Sequence, residues 1–385
     1  MKNSSKKLLS IALALAIVLS CLACAAYAIV IPQDVKNVIL MIGDGMGENS
    51  LEWTKAQTGE PLFLDTMPYQ GYSKTDSLSG TTDSAAGGTA LSCGYHCFNS
   101  NLCTLSINIK GNGATVCDFF NLTQAAQAIG KKTGIVTSDD NSGATPASFS
   151  AHTYKRELAA EITEQQINSG VDLLWAHDNG IIDSAKVEKA GFVFATTMSE
   201  IDAVPEGSRS FAAIKGNIFA DTGSEADAPL SILTEKAIAR LDNDKGFFLM
   251  VEGAHIDKFS HANNEKNMAM ALTEFDKAVE TAVEFAKDDG NTIVIVTADH
   301  ETGGITLNPE TKEYEYTTDG HTGTDVPLRL FGSDELVKDG AAVENIQVAR
   351  FAAKKLGYTG RFPSFSYNFA FPLDLIKALF KAIAA

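Results

Sequence analysis

The sequence predicts an α/β fold: a doubly wound, mostly parallel central sheet with helices on both faces. Three observations carry this. Short, continuous apolar runs recur along the chain, as strands buried on both faces require. Segments of helical apolar period lie between them. Several runs stop at an acid or a histidine, which is where open sheets of this kind bind ligands.

The first strand is Val35 to Ile42 (VKNVILMI), followed by the tight turn Gly43-Asp44-Gly45-Met46-Gly47. Thr133 to Thr137 runs into Ser138-Asp139-Asp140, Phe247 to Val251 into Glu252-Gly253, and Thr292 to Thr297 into Ala298-Asp299-His300. Val326 to Phe331 is a fifth strand. Met268, Leu272, Phe275, Val279, Ala282 and Ala286 step along one helix face, and Val343 to Leu356 forms another helix closed by Gly357. Pro372 to Ala385 reads as a short amphipathic tail helix, docked on the body or on a partner; its two lysines make a weak basic face for a membrane surface.

The ends of the chain bound its setting. Lys2, Lys6 and Lys7 precede the apolar run Leu8 to Leu19, and Ala26-Tyr27-Ala28 follows. That pattern is a signal peptide, with cleavage expected near Ala28 and export to the periplasm, cell wall or medium. Cys21 leaves a lipoprotein alternative. Residues 29–362 then form the main domain and 363–385 the tail. Removing residues 1–28 removes three lysines and no acids, taking the formal charge from −17 to −20. Such a surface repels nucleic acid and acidic membranes, and any anion site must carry its own local positive charge. Cys93, Cys97, Cys103 and Cys117 fall in one short span. In an exported chain they read as two local disulfides with three possible connectivities. A zinc site is the rival, although the spacings lack a C-x2-C pair.

Candidate chemistry begins at Thr81-Thr82-Asp83-Ser84-Ala85-Ala86-Gly87-Gly88-Thr89-Ala90, a loop entering a helix. Asp83 or Ser84 there is ordinarily an N-cap. A serine at a helix start can also be a nucleophile, because the unpaired amides and the dipole favour negative charge beside it. Asp257 and His261 stand four apart on one helical face, as a metal-ligand pair does. Asp299-His300 offers adjacent oxygen and nitrogen donors, and His321 lies in the loop Gly320-His321-Thr322-Gly323. Each alone has an ordinary structural reading: a solvated pair, a strand-end turn, a loop histidine. Their joint presence with Asp44, Glu252 and Ser84 favours a shared site.

The ordered motifs GDGMG, TTDSAAGGTA, ATPASFSAHTYKR, VEGAHIDKFSH, TADHETGG and GHTGTDVPL resemble those of the alkaline phosphatases, from about Asn37 to Gly332. The resemblance implies a phosphomonoesterase acting through a phosphoserine, with two zinc ions and one magnesium. Ser84 would be the nucleophile and Arg156 a bidentate phosphate clamp. Asp257, His261 and His321 would hold the first zinc. Asp44, Asp299 and His300 would hold the second. Asp44 would also bridge to magnesium, with Thr145 and Glu252. Lys258 matches a lysine on the substrate side that some members pair with an acid two residues before the threonine ligand. Here that place is Gly143, so the pair is expected to be broken unless Asp139 or Asp140 swings in. His255 falls within a metal-binding motif and is expected behind the ligands; His96, His152 and His177 are expected to be structural. With only 20 residues between His300 and His321, a compact, open site is expected. The implied substrates are small phosphate monoesters, with no nucleic acid and no stable membrane insertion; a homodimer is left open. A diesterase or sulfatase on the same scaffold is a second reading, but Ser84-Ala85-Ala86-Gly87 lacks a sulfatase's proline and arginine. A non-catalytic phosphate or metal scavenger is a third.

Overall fold

Apolar runs without polar alternation need cover on both sides, and the chain supplies it. A computed structural model describes residues 35–109, 112–216, 226–337 and 342–384. The expected signal segment and the Cys21 alternative lie outside the described residues. Nine strands hydrogen-bond into one sheet. In chain order they are β1 (Asn37–Gly43), β2 (Tyr69–Ser73), β3 (Lys132–Asp140), β4 (Leu173–His177), β5 (Phe192–Ala195), β6 (Arg209–Ile214), β7 (Phe247–Gly253), β8 (Thr292–Thr297) and β9 (Val326–Phe331). Their spatial order is β2-β9-β8-β1-β7-β3-β4-β6-β5. Only β9 runs against its neighbours; the other pairings are parallel.

The strand pleat divides the core into two layers. Ile39 and Met41 of β1 face one layer, with Leu249, Val251, Val294 and Val296. Val38, Leu40 and Ile42 face the other, with Phe248, Met250, Ile293 and Ile295. The helix Glu265–Asp289 covers the first layer, burying the predicted face from Met268 to Ala286. The Asn264 side chain accepts from the Asn267 amide at its start, and left-handed Gly290 ends it. The helix Ile346–Lys355 covers the second layer. It starts three residues later than the pattern suggested, because Val343 bridges to Ser73 beside β2.

The register brings the functional ends together. Ile42 pairs with Glu252 on one side and Thr297 on the other, and Glu252 pairs with Thr137. The neighbours β8, β1, β7 and β3 therefore end side by side. These are the four strands whose following residues the sequence marked.

The tail forms the helix Phe371–Ala384 and rests on a hairpin of Thr104–Ile109 and Asn112–Phe119. Residues Phe365–Tyr367 add a strand to that hairpin. Among the described residues no helix is long and apolar enough to cross a membrane.

Phe248 is fully buried in β7 and stacks on Phe149 at 6.0 Å between ring centroids. Phe248→Ala should destabilise the fold by about 3–5 kcal/mol through lost burial and the cavity left behind. Urea unfolding followed by circular dichroism will show this as a lower midpoint at unchanged slope.

Candidate active site

The helix Ser84–Cys93 begins at the carboxyl edge of the sheet. Asp83 is its N-cap, with Oδ1 accepting from the Ala86 amide at 2.9 Å. Ser84 is the first helical residue, and its Oγ lies 3.2 Å from His300 Nε2. The capping reading of this stretch therefore holds at Asp83, and Ser84 follows it at the first helical position. The small residues of the helix permit its close seat. A Cβ at Gly87 would stand 2.8 Å from the Asp299 carbonyl oxygen, and one at Gly88 would stand 2.4 Å from Ser148 Oγ. Gly45, in the left-handed region at φ +73°, lets the turn after β1 pass against Asp257, where a Cβ would lie 2.8 Å from the Asp257 Cα.

The three predicted histidines each present Nε2 to the site. His321 Nδ1 lies 2.9 Å from the Thr82 carbonyl oxygen, and His261 Nδ1 contacts the Asp319 carbonyl oxygen. A carbonyl only accepts, so Nδ1 carries the proton and each Nε2 lone pair is available to a cation. His300 Nδ1 lies 3.2 Å from Thr302 Oγ1, whose hydroxyl donates to Asp257 Oδ1. Thr302 thus sets the tautomer of one residue and the rotamer of another.

These atoms form two groups. His261 Nε2 lies 3.0 Å from His321 Nε2 and 3.4 Å from Asp257 Oδ1; His321 Nε2 is 3.7 Å from the same oxygen. His300 Nε2 lies 3.4 Å from Asp44 Oδ1 and 3.3 Å from Asp299 Oδ2. Asp44, Asp299 and His300 converge as one set of donors, and Asp257, His300 and His321 as another. Beside them, Thr145 Oγ1 is 3.4 Å from Asp44 Oδ2, and Thr137 donates to Glu252 Oε2. Asp44 Oδ1, Asp299 Oδ2 and Glu252 Oε1 are buried acceptors with no hydrogen-bond partner. Unpaired acceptors in such number are what a cation site provides, so the residues present fit metal ions. Mixed histidine and carboxylate donors suit zinc, and the oxygen set of Asp44, Thr145 and Glu252 suits magnesium.

Burial sets the electrostatics. It lowers His300 well below the usual imidazole range, with His321 and Arg156 adding to the effect, and so keeps the ring neutral. Burial also raises Asp44 well above the usual carboxylate range, helped by Asp299 and Asp257. Burial, then Asp257, raises Asp299 to about 7; burial, then Asp139, raises Glu252 to about 8. Arg156 approaches the site through Asp83. Its guanidinium lies 3.4 Å from Asp83 Oδ2, and its charge counteracts the rise at Asp44.

Lys258 has a partner after all. The space that a side chain at Gly143 would enter is filled by the Asp139 carboxylate, whose Oδ2 is 2.4 Å from the Cβ position. Asp139 pairs with the Lys258 ammonium through its other oxygen. The acid thus comes from four residues earlier in the chain than the sequence pattern expects. His255 sits behind this pair, its Nδ1 3.3 Å from Ser138 Oγ. His96 and His152 bond to Asn345 and to the Phe119 carbonyl oxygen, in structural positions. The sequence reading passed over Thr302, although it lies inside the TADHETGG motif, and gave Asp83 no task beyond capping.

The structure shows no disulfide among Cys93, Cys97, Cys103 and Cys117, all of which are buried. None of them belongs to a group of metal donors among the described residues, which removes the support for the rival zinc reading.

A neutral histidine, a helix-start serine and clustered acids at the strand ends place this site in the class of cation-assisted hydroxyl nucleophiles on open α/β sheets. Residues 35–176 and 214–332 match the family model for alkaline phosphatase, and the chain belongs to that family. It is 29% identical over 390 residues to alkaline phosphatase 3 of Bacillus subtilis, covering 93% of this chain and 82% of that protein. Alkaline phosphatase of Escherichia coli K12 is 29% identical over 353 residues, 73% of each chain. Among solved structures, alkaline phosphatase from the Antarctic bacterium TAB5 superposes with a TM-score of 0.72 at 30% identity, over 85% of this chain and 99% of that one. A variant of that enzyme is described with magnesium bound. The Thermus thermophilus enzyme, at 19% identity and a TM-score of 0.74, shares the fold. The chain is thus a phosphatase of a metal-dependent family.

Two expectations follow from the packing and the charge. Gly87→Ala forces the Ser84 helix away from Asp299; unfolding should show a loss of about 1–3 kcal/mol, and metal analysis after dialysis should find fewer ions per chain. In the metal-free chain, Asp299 and Glu252 keep protons that the unfolded chain, near 3.8 and 4.5, has released. Their stabilisation is complete below those values and is lost as pH rises through about 7 and 8. The thermal midpoint of chelated protein should therefore fall between about pH 5 and about pH 9, and zinc with magnesium should remove most of the fall. A flat profile in chelator would contradict the burial of unpaired acids.

Proposed function

We propose that this chain is an exported phosphomonoesterase that transfers phosphate from small monoesters to Ser84 and then to water. The observation that carries the reading is the position of Ser84 Oγ, at a helix start and 3.2 Å from a neutral histidine flanked by unpaired carboxylates. Asp257, His261 and His321 would hold one zinc ion, and Asp44, Asp299 and His300 a second. Asp44, Thr145 and Glu252 would hold magnesium. Bound there, the ions would supply Lewis-acid charge for the attacking and leaving oxygens and lower the pKa of the serine hydroxyl.

The protein's own part is positional. Arg156 gives the monoester dianion a planar fork for two of its oxygens, and Asp83 orients that fork. The dipole and first-turn amides of the Ser84 helix add attraction for the same group. Ser84 Oγ attacks phosphorus in line with the ester oxygen; the P–O ester bond breaks and the alcohol leaves. Water then attacks the phosphoserine from the vacated side, releasing inorganic phosphate and restoring the hydroxyl. Lys258, paired with Asp139, would stand on the substrate side of the oxygen-rich group.

Residues 1–28 as a signal segment, 29–362 as the catalytic domain and 363–385 as the tail belong to this reading. A diesterase would have to leave a second ester group unclamped, and no observation favours it.

Ser84→Ala should abolish the burst of alcohol release and lower kcat by at least about a thousandfold, with metal content unchanged. Activity within tenfold of wild type would remove Ser84 from the reaction. A preference for a nitrophenyl methyl diester over the monoester in kcat/KM would reassign the substrate class.

A further inference from the structure

We propose that Cys93 and Cys103 join in a disulfide that closes the loop 94–102 and so fixes the arginine clamp and the cap of the Ser84 helix. The cross-link stands on its own geometry. The consequence for substrate rests on the role proposed above for Arg156.

Cys93 is the last residue of the helix that begins with Ser84, and Cys103 immediately precedes the strand Thr104–Ile109. Their Sγ atoms are 3.2 Å apart, a gap that small side-chain rotations close to the covalent distance of about 2.05 Å. Both residues are fully buried. The Ser92 hydroxyl lies 3.3 Å from one sulfur and 3.6 Å from the other. Cys97 lies inside the loop and directs its thiol to the Asn101 carbonyl oxygen at 3.5 Å. Of the three connectivities open to the sequence, this geometry selects the one that contains Cys93–Cys103.

The loop so closed supports the anion end of the site. Its Ser100 amide donates to Asp83 Oδ2 at 2.9 Å, the oxygen that also meets the Arg156 guanidinium. Its Ser100 carbonyl accepts from the Arg156 amide at 2.9 Å. Leu102 and Thr153 exchange two backbone hydrogen bonds, at 2.9 and 3.0 Å, and Asn101 Nδ2 donates to the Tyr154 carbonyl oxygen at 3.2 Å. The segment that delivers Arg156 is thus laid along a loop whose two ends are the paired cysteines. A covalent tie between those ends restricts the loop and, through Ser100, both Asp83 and Arg156.

The bond forms by exchange with a small disulfide such as oxidised glutathione. The Cys103 thiolate attacks one sulfur of the oxidant and displaces its first thiol. The Cys93 thiolate then attacks Cys103 Sγ and displaces the second. The cysteines lose two electrons and two protons, and the oxidant leaves as two thiols. Full burial assigns the exchange to the chain before this region has closed.

The test uses the full-length protein refolded in a glutathione redox buffer with zinc and magnesium. Free thiols are alkylated in denaturant and the unreduced digest is read by mass spectrometry. The expected product is a Cys93–Cys103 linked peptide, two hydrogens lighter than its reduced parts. Alkylation of both residues, or linkage of either one to Cys97 or Cys117, would overturn the cross-link. In a second arm, Cys93→Ala and wild type refolded under reduction are compared with the oxidised protein. The KM for a nitrophenyl phosphate and the Ki of inorganic phosphate should rise about three- to tenfold, with kcat within about twofold. Unchanged KM and Ki in a demonstrably linked protein would overturn the hold on Arg156. Loss of turnover in every form, with the linked peptide present, would count against the phosphatase reading alone; phosphate affinity would then still report on the clamp.

Discussion

Repulsion among buried carboxylates is the constraint on which the rest depends. Asp44, Glu252, Asp257 and Asp299 end adjacent strands or lie just beyond them, in surroundings that strip them of water. Four such groups cannot all ionise together without compensating charge. The metal-free fold answers by holding protons on some of them, at the expense of the ionised forms that cation binding needs. A cation answers the same demand by replacing the protons. Folding and metal uptake are therefore aspects of one charge balance, tied to the strand register that sets Ile42 between Glu252 and Thr297.

Backbone proximity is the second requirement. Side chains of ordinary size would hold the Ser84 helix too far from Asp299, and the turn after β1 too far from Asp257. Gly87, Gly88 and Gly45 remove that bulk where the elements touch. The price is conformational freedom lost on folding, offset by the apolar layers on either side of the sheet. The glycine-rich motifs thus report approach distances rather than flexibility.

Much of this was legible in the sequence, and the gaps have physical causes. The strands β1, β3, β7 and β8 are apolar runs that end at or beside acids, so both the elements and the candidate site could be read from them. The strands β4, β5 and β6 are short, such as Phe192–Ala195, and lie on the far side of the sheet from the site, where no marked residue follows them. The direction of β9 is fixed by pairing with β8 and β2, which periodicity does not encode. Thr302 was missed because a threonine beside a histidine carries no signal until the fold brings Asp257 to it. Asp139 was legible only as an alternative. Its task depends on the space left by Gly143, and a sequence reveals a missing side chain more readily than the neighbour that fills its place.

On the proposed reading the acidic surface makes the placement of Arg156 decisive. A chain of formal charge −17 offers a phosphate dianion no general attraction, so binding has to come from charges aimed at one point. On the proposed reading Arg156 and Lys258 would be cations aimed there, and both are partly neutralised, by Asp83 and Asp139. Such pairing holds each cation in position but reduces the charge it offers a ligand. The balance must then be supplied by ions in the carboxylate cluster. On the proposed reading the anion site and the cation sites are interdependent: without the ions, the acids that would bind them would repel the substrate that Arg156 would receive.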